Sequence, residues 1–153
     1  MSLDGRRAGE ALATAASELT RIWRAARAEA SPDVFPGLSD GLVERFVAGL
    51  GEALVLGRPA EDVWARAEGV VRLDPAASGL AEDELRAEWR LVGEVIAAAC
   101  DALEAGPEVT DVAARAVELA RGGLESIRGG GPPAIVRVVS FSPLRPLRGG
   151  VPR

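Results

Sequence analysis

Glu84 and Glu88 stand four residues apart in EDELRAEWRLVGEVIAAACDALE, the stretch from Glu82 to Glu104. On an α-helix that spacing stacks two carboxylates on one face, where they can share a divalent cation, and a metal-dependent hydrolase is one reading of them. Such an enzyme needs further carboxylates converging from a second helix, whereas Asp101 and Glu104 lie along the same one. The other reading is an acidic first turn. Glu82, Asp83 and Glu84 favour the positive end of the helix dipole, and Glu84 or Glu88 pairs with nearby arginines.

Other chemistry is narrowed by what the chain lacks. It contains no His, Tyr, Lys, Asn or Gln, and its 18 basic residues are all Arg. Without His there is no imidazole base, no His-ligated haem and no His-bearing zinc or di-iron site. A Ser or Cys nucleophile then has no such base to activate it. The single Cys100 falls on the apolar side of its helix and reads as a small buried hydrophobe, compatible with a reducing cytoplasm. No glycine-rich phosphate loop follows a strand. The chain therefore reads as non-enzymatic, with no cofactor and no metal expected beyond the candidate pair Glu84 and Glu88.

The elements that would position these residues are helices. Leu85, Trp89, Val92, Ile96, Ala99 and Leu103 recur at intervals of four and three, which puts them on one face. Four further helices are expected. The first spans Arg7 to Ala30 with Leu12, Ala15, Leu19, Ile22, Trp23 and Ala26 inward, stopped by Ser31-Pro32. The second, capped by Ser39 or Asp40, runs to Gly57 with Leu42, Val43, Phe46, Val47, Leu50, Leu54 and Val55 inward. The third starts near Pro59, faces Val63, Trp64, Ala67, Val70 and Val71 inward and ends at Asp74-Pro75. The last begins at Thr110 or Asp111 and reaches Arg128. Short connections imply an all-α domain over residues 7–128, a five-helix antiparallel bundle or a globin-like packing.

With 48% hydrophobic but only 4% aromatic residues, the core is built from Ala, Leu and Val around Trp23, Trp64 and Trp89. These three, with Leu85, Val92 and Ile96, fill the core or line a pocket. No apolar run is long enough to span a bilayer and no signal peptide is evident, so a cytoplasmic protein is expected.

After Arg128 the character changes. Residues 129–133 form a Gly/Pro hinge, and 134–153 an extended tail containing the β-branched run AIVRVVSF. Residues 1–131 hold 14 Arg against 23 Asp plus Glu, a net of −9, whereas residues 132–153 hold 4 Arg and no acid, a net of +4. The tail can fold back onto its own acidic body or reach an acidic partner. Pro143, Arg145, Pro146 and Arg148, with a PxxP core beside Arg, read either as part of a disordered tail or as an extended docking motif of the kind aromatic grooves bind. Neither a nucleic-acid partner nor a membrane is expected, and no small-molecule ligand is specified.

The run from Val63 to Ile96, with Gly79, Leu80, Glu84, Leu85, Glu88, Trp89, Leu91 and Val92 in the family's places, resembles the N-terminal sensory domain named for the RsbRD stressosome proteins and also found ahead of histidine kinases. The segment Glu18-Leu19 to Trp23 is similar to that family's first helix, and the likeness covers about residues 10 to 128. The resemblance implies a globin-like or bundle domain without haem that homodimerises and takes part in bacterial signal transduction by packing changes and contacts with another signalling protein. The alternative is an assembly or cargo protein docked by its Arg/Pro-rich tail.

Overall fold

The computed structural model describes residues 3–30, 38–72 and 81–130. Among them are six helices and no strand, an all-α architecture: α1 (Leu3–Thr14), α2 (Ala16–Ala30), α3 (Asp40–Leu56), α4 (Ala60–Arg72), α5 (Glu82–Ala102) and α6 (Pro107–Gly130). The Asp74-Pro75 stop, Gly79 and Leu80 of the resemblance, the run AIVRVVSF and the docking residues Pro143, Arg145, Pro146 and Arg148 lie outside the described residues.

The first expected helix begins four residues earlier and is two helices. Helical hydrogen bonds continue across the joint, Ala15 N–H to Ala11 O at 3.0 Å and Leu19 N–H to Ala15 O at 2.8 Å, so the chain bends at Ala15 without unwinding. The bend lets the two halves serve different neighbours: α1 lies mainly on α3, while α2 reaches both α3 and α5. It also corrects the inward face. Ala8, Leu12, Ala16, Leu19 and Trp23 are buried, but Ile22 is 45% exposed, because α2 turns inward the stripe containing Trp23 and Arg27.

Capping follows side-chain chemistry. Ser39 is the N-cap of α3, its hydroxyl accepting from Leu42 N–H at 3.2 Å. Gly57 closes α3 at φ 70°, a left-handed turn that glycine adopts without steric cost, and Arg58 N–H returns to Ala53 O at 2.8 Å. The sixth helix starts at Pro107, not at Thr110 or Asp111. Proline suits a first helical position, where no N–H is required, and Gly106 O then accepts from Val109 and Thr110 N–H, both at 3.1 Å. It also runs on through Gly130, past Arg128.

Packing follows a closed circuit, α2 to α3 to α4 to α6 to α5 and back to α2, with α1 laid over α3. At the α1–α3 crossing Gly9 and Gly51 face each other so closely that a Cβ on either would come within 2.5 Å of the other's carbonyl oxygen. The core inside the circuit holds Trp23, Phe46 and Trp89 fully buried, with Phe46 and Trp89 edge to face at 4.9 Å and 72°. Trp64 is half-buried and lies against Gly123, where a Cβ would come within 2.2 Å of the indole. No helix among the described residues is long and apolar enough to cross a membrane.

Candidate functional site

The first turn of α5 does not present Glu84 and Glu88 to one ion. Glu84 is exposed and its Oε1 accepts Ala81 N–H at 3.0 Å, capping the helix start. Glu88 turns into the protein. Its Oε2 lies 2.9 Å from Arg27 Nε, with the two side chains only 6% and 5% exposed, and its Oε1 accepts Leu38 N–H at 2.8 Å. Nε and Oε2 are in ionic contact but not aligned as a hydrogen bond, so this contact is held by charge. No cluster of three or more His, Cys, Asp or Glu suited to a metal occurs among the described residues.

Around Glu88 the structure assembles a polar joint that links α2, α3 and α5. Trp23 Nε1 donates to the Glu88 backbone oxygen at 3.1 Å. Arg24 stacks over the Trp23 ring at 4.9 Å, donates to Leu38 O at 3.1 Å and pairs with Asp40 through Nε at 2.7 Å. The backbone of Leu38 is thus held on its N–H by Glu88 and on its carbonyl by Arg24. Two quiet signals of this joint lie in the spacing: Arg27 follows Trp23 by four residues, and Glu88 follows Leu85 by three, so each sits on its helix's buried stripe.

The next residue, Trp89, faces α6. Its Nε1 donates to Val117 O at 2.9 Å, while Arg86 Nε meets Glu125 at 3.1 Å, and the opposite order of these pairings makes α5 and α6 antiparallel. The small Gly93 and Ala97 leave a groove of about 600 Å³ between the helices, floored by Trp89, Gly93, Ala97 and Val117. It continues beside Ile96, Cys100 and Ala113 as a hollow of about 200 Å³. Such concave apolar surfaces with a charged rim are where proteins accept ligands or partners.

The rim charges divide into paired and unpaired. Glu125 bridges Arg86 and Arg121, whose guanidinium groups hold its carboxyl below the usual carboxylate range, with the Arg86 hydrogen bond the larger cause. Arg121 also meets Glu118 at 2.7 Å. Arg90 and Glu94, one helical turn apart on the rim, have no ionic or hydrogen-bonding side-chain partner among the described residues. Periodicity could not single them out, because exposed charges on a helix carry no sequence mark of whether tertiary structure provides a partner.

Of the residues expected to form a core or pocket, Trp23, Leu85, Val92 and Ile96 are buried in the core, Ile96 also reaching the smaller hollow, and Trp64 is half-buried against that core beside Gly123 of α6. Trp89 belongs to both core and groove. Burial pushes the Cys100 thiol up, and the neighbouring Asp101 adds to the shift. At the far turn, Arg7 donates to Leu103 O at 3.0 Å and Asp4 accepts Gly106 N–H at 3.0 Å, so α1 fixes the connection between α5 and α6. Compared with protein-family models, with curated proteins and with solved structures, the chain matches none.

Proposed function

We propose that this chain is a non-enzymatic regulatory domain acting through protein–protein contact, and that the α5–α6 groove is its contact surface, joined to the same groove of a second copy. The observation that carries this reading is the groove's rim, where Arg90 and Glu94 stand one turn apart, without ionic partners among the described residues, beside an apolar floor. A two-fold axis near Gly93 brings Arg90 of each copy to Glu94 of the other, the self-complementary arrangement a symmetric dimer requires. Gly93 and Ala97 allow the two α5 helices to approach closely, and the rim charges give register.

The sequence resemblance to RsbRD-type sensory domains supports a role in bacterial signal transduction in the cytoplasm, with another signalling protein as downstream partner. The joint at Glu88 offers a route for such a role. It adjoins Trp89 in the chain, so a shift of α5 at the groove is felt at Arg27 and Leu38.

Sedimentation equilibrium tests the dimer by charge exchange. Arg90→Glu should weaken self-association at least tenfold, and adding Glu94→Arg to it should restore most of the loss. If the double variant associates no better than the single one, the two-fold pairing is wrong. A basic tail of net +4 favours the second reading, an assembly or cargo protein. Loss of all partner recruitment on replacing Arg145 and Arg148 with Glu, with self-association unchanged, would support it.

A further inference from the structure

The groove has another occupant within reach, carried on the same chain. We propose that residues 134–141, AIVRVVSF, bind the α5–α6 groove in cis and compete with a second copy for it; the competition rests on the reading of the groove as the dimer surface.

Reach comes from the topology. Because α5 and α6 are antiparallel, α6 ends at Gly130 alongside the start of α5, at the end of the groove lined by Asp83 and Arg86. Val117, on the groove floor, lies about 20 Å back along α6 at the ~1.5 Å helical rise. Beyond the reversal, an extended chain over residues 134–140 covers about 23 Å at ~3.3 Å per residue. The Gly131-Pro132-Pro133 sequence can supply that reversal, and the run that follows would then pass Trp89 and reach the level of Gly93 and Val117 toward its end.

Chemistry matches reach. Ile135, Val136, Val138, Val139 and Phe141 are apolar, as the floor is. The one charge in the run is Arg137, and the groove offers Glu94, which has no ionic partner among the described residues. Residues 132–153 bring no acid to oppose the acidic body. A tether this short gives an effective concentration on the order of millimolar, so an intrinsic affinity of only about 10 μM keeps the groove filled about 99% of the time.

The test uses the full chain. A nitroxide on Ser140→Cys, in a Cys100→Ala background, should remove more than half the amide intensity of Gly93, Ala97 and Val117 and leave Gly41 and Gly49 on α3 unchanged. Ala97→Trp, which fills the groove from an exposed position, should restore those signals. Equal effects on the groove and on α3 would overturn the proposal, as would broadening seen only when a spin-labelled chain is mixed with a separate isotope-labelled one. Replacing Val136 and Val138 with Asp should tighten self-association at least tenfold; no change refutes the competition. If the groove signals broaden yet neither form associates, the cis contact stands and the second-copy reading of the groove falls.

Discussion

Glu88 and Arg27 illustrate how one pair of side chains can specify a packing without contributing much net stability. Burying two opposite charges costs desolvation that their attraction roughly offsets, but removing one partner strands the other. Glu88→Gln keeps an acceptor for Leu38 N–H and removes the buried carboxylate charge 2.9 Å from Arg27 Nε, so it should cost about 3–5 kcal/mol in urea unfolding. Removing both charges while keeping the acceptor for Leu38 N–H, Arg27→Met with Glu88→Gln, should recover most of that. A single-variant cost below about 1 kcal/mol would mean that the pair is not the joint described here. Asp4 makes a pH prediction. The Gly106 N–H first, and then Arg7, hold its carboxyl below the usual carboxylate range. In acid the unfolded state therefore takes up this proton before the folded state does, and the contribution of Asp4, full above the ordinary range, is lost as pH falls through the lowered value. Asp4→Ala should accordingly be less stable than the parent at neutral pH, the difference shrinking toward the acid limit; a difference independent of pH excludes this origin.

Helices as elements were legible because each carries its own periodicity and punctuation. Leu85, Trp89, Val92 and Ile96 face the core as their spacing requires, and Ser39 and Gly57 bound α3 by local chemistry alone. The bend at Ala15 was not legible, because no proline or glycine marks it; it arises where α1 must lie against α3 while α2 turns to α5. The glycines of α3 looked alike in sequence and differ by environment. Gly51→Ala drives a Cβ to 2.5 Å from Gly9 O and 2.7 Å from Ala13 N, both rigid backbone atoms, and should cost roughly 1–3 kcal/mol or more. Gly49→Ala meets nothing within 4 Å and should instead stabilise by about 0.5–1 kcal/mol through helix propensity. Thermal unfolding of the two variants checks both signs, and a shared direction would contradict the close α1–α3 crossing.

For the whole molecule, association through the groove makes stability depend on concentration. The parent protein's Tm should rise with protein concentration, while that of Arg90→Glu should stay flat, in calorimetric scans across a hundredfold range. With the groove freed of the chain's own tail by Val136→Asp and Val138→Asp, a Tm that still does not move over that range removes the dimer. The all-α class, the stripes of α3 and α5 and the exclusion of imidazole chemistry can be read from the residues alone, because periodicity, caps and absent residue types are local properties of a chain. That Glu84 caps a helix while Glu88 pairs with Arg27, and that Arg90 and Glu94 stand on a groove rim without ionic partners among the described residues, follows from the packing of separate helices. A charged residue's role depends on what other helices bring to it, and that distance is not written in its neighbours along the chain.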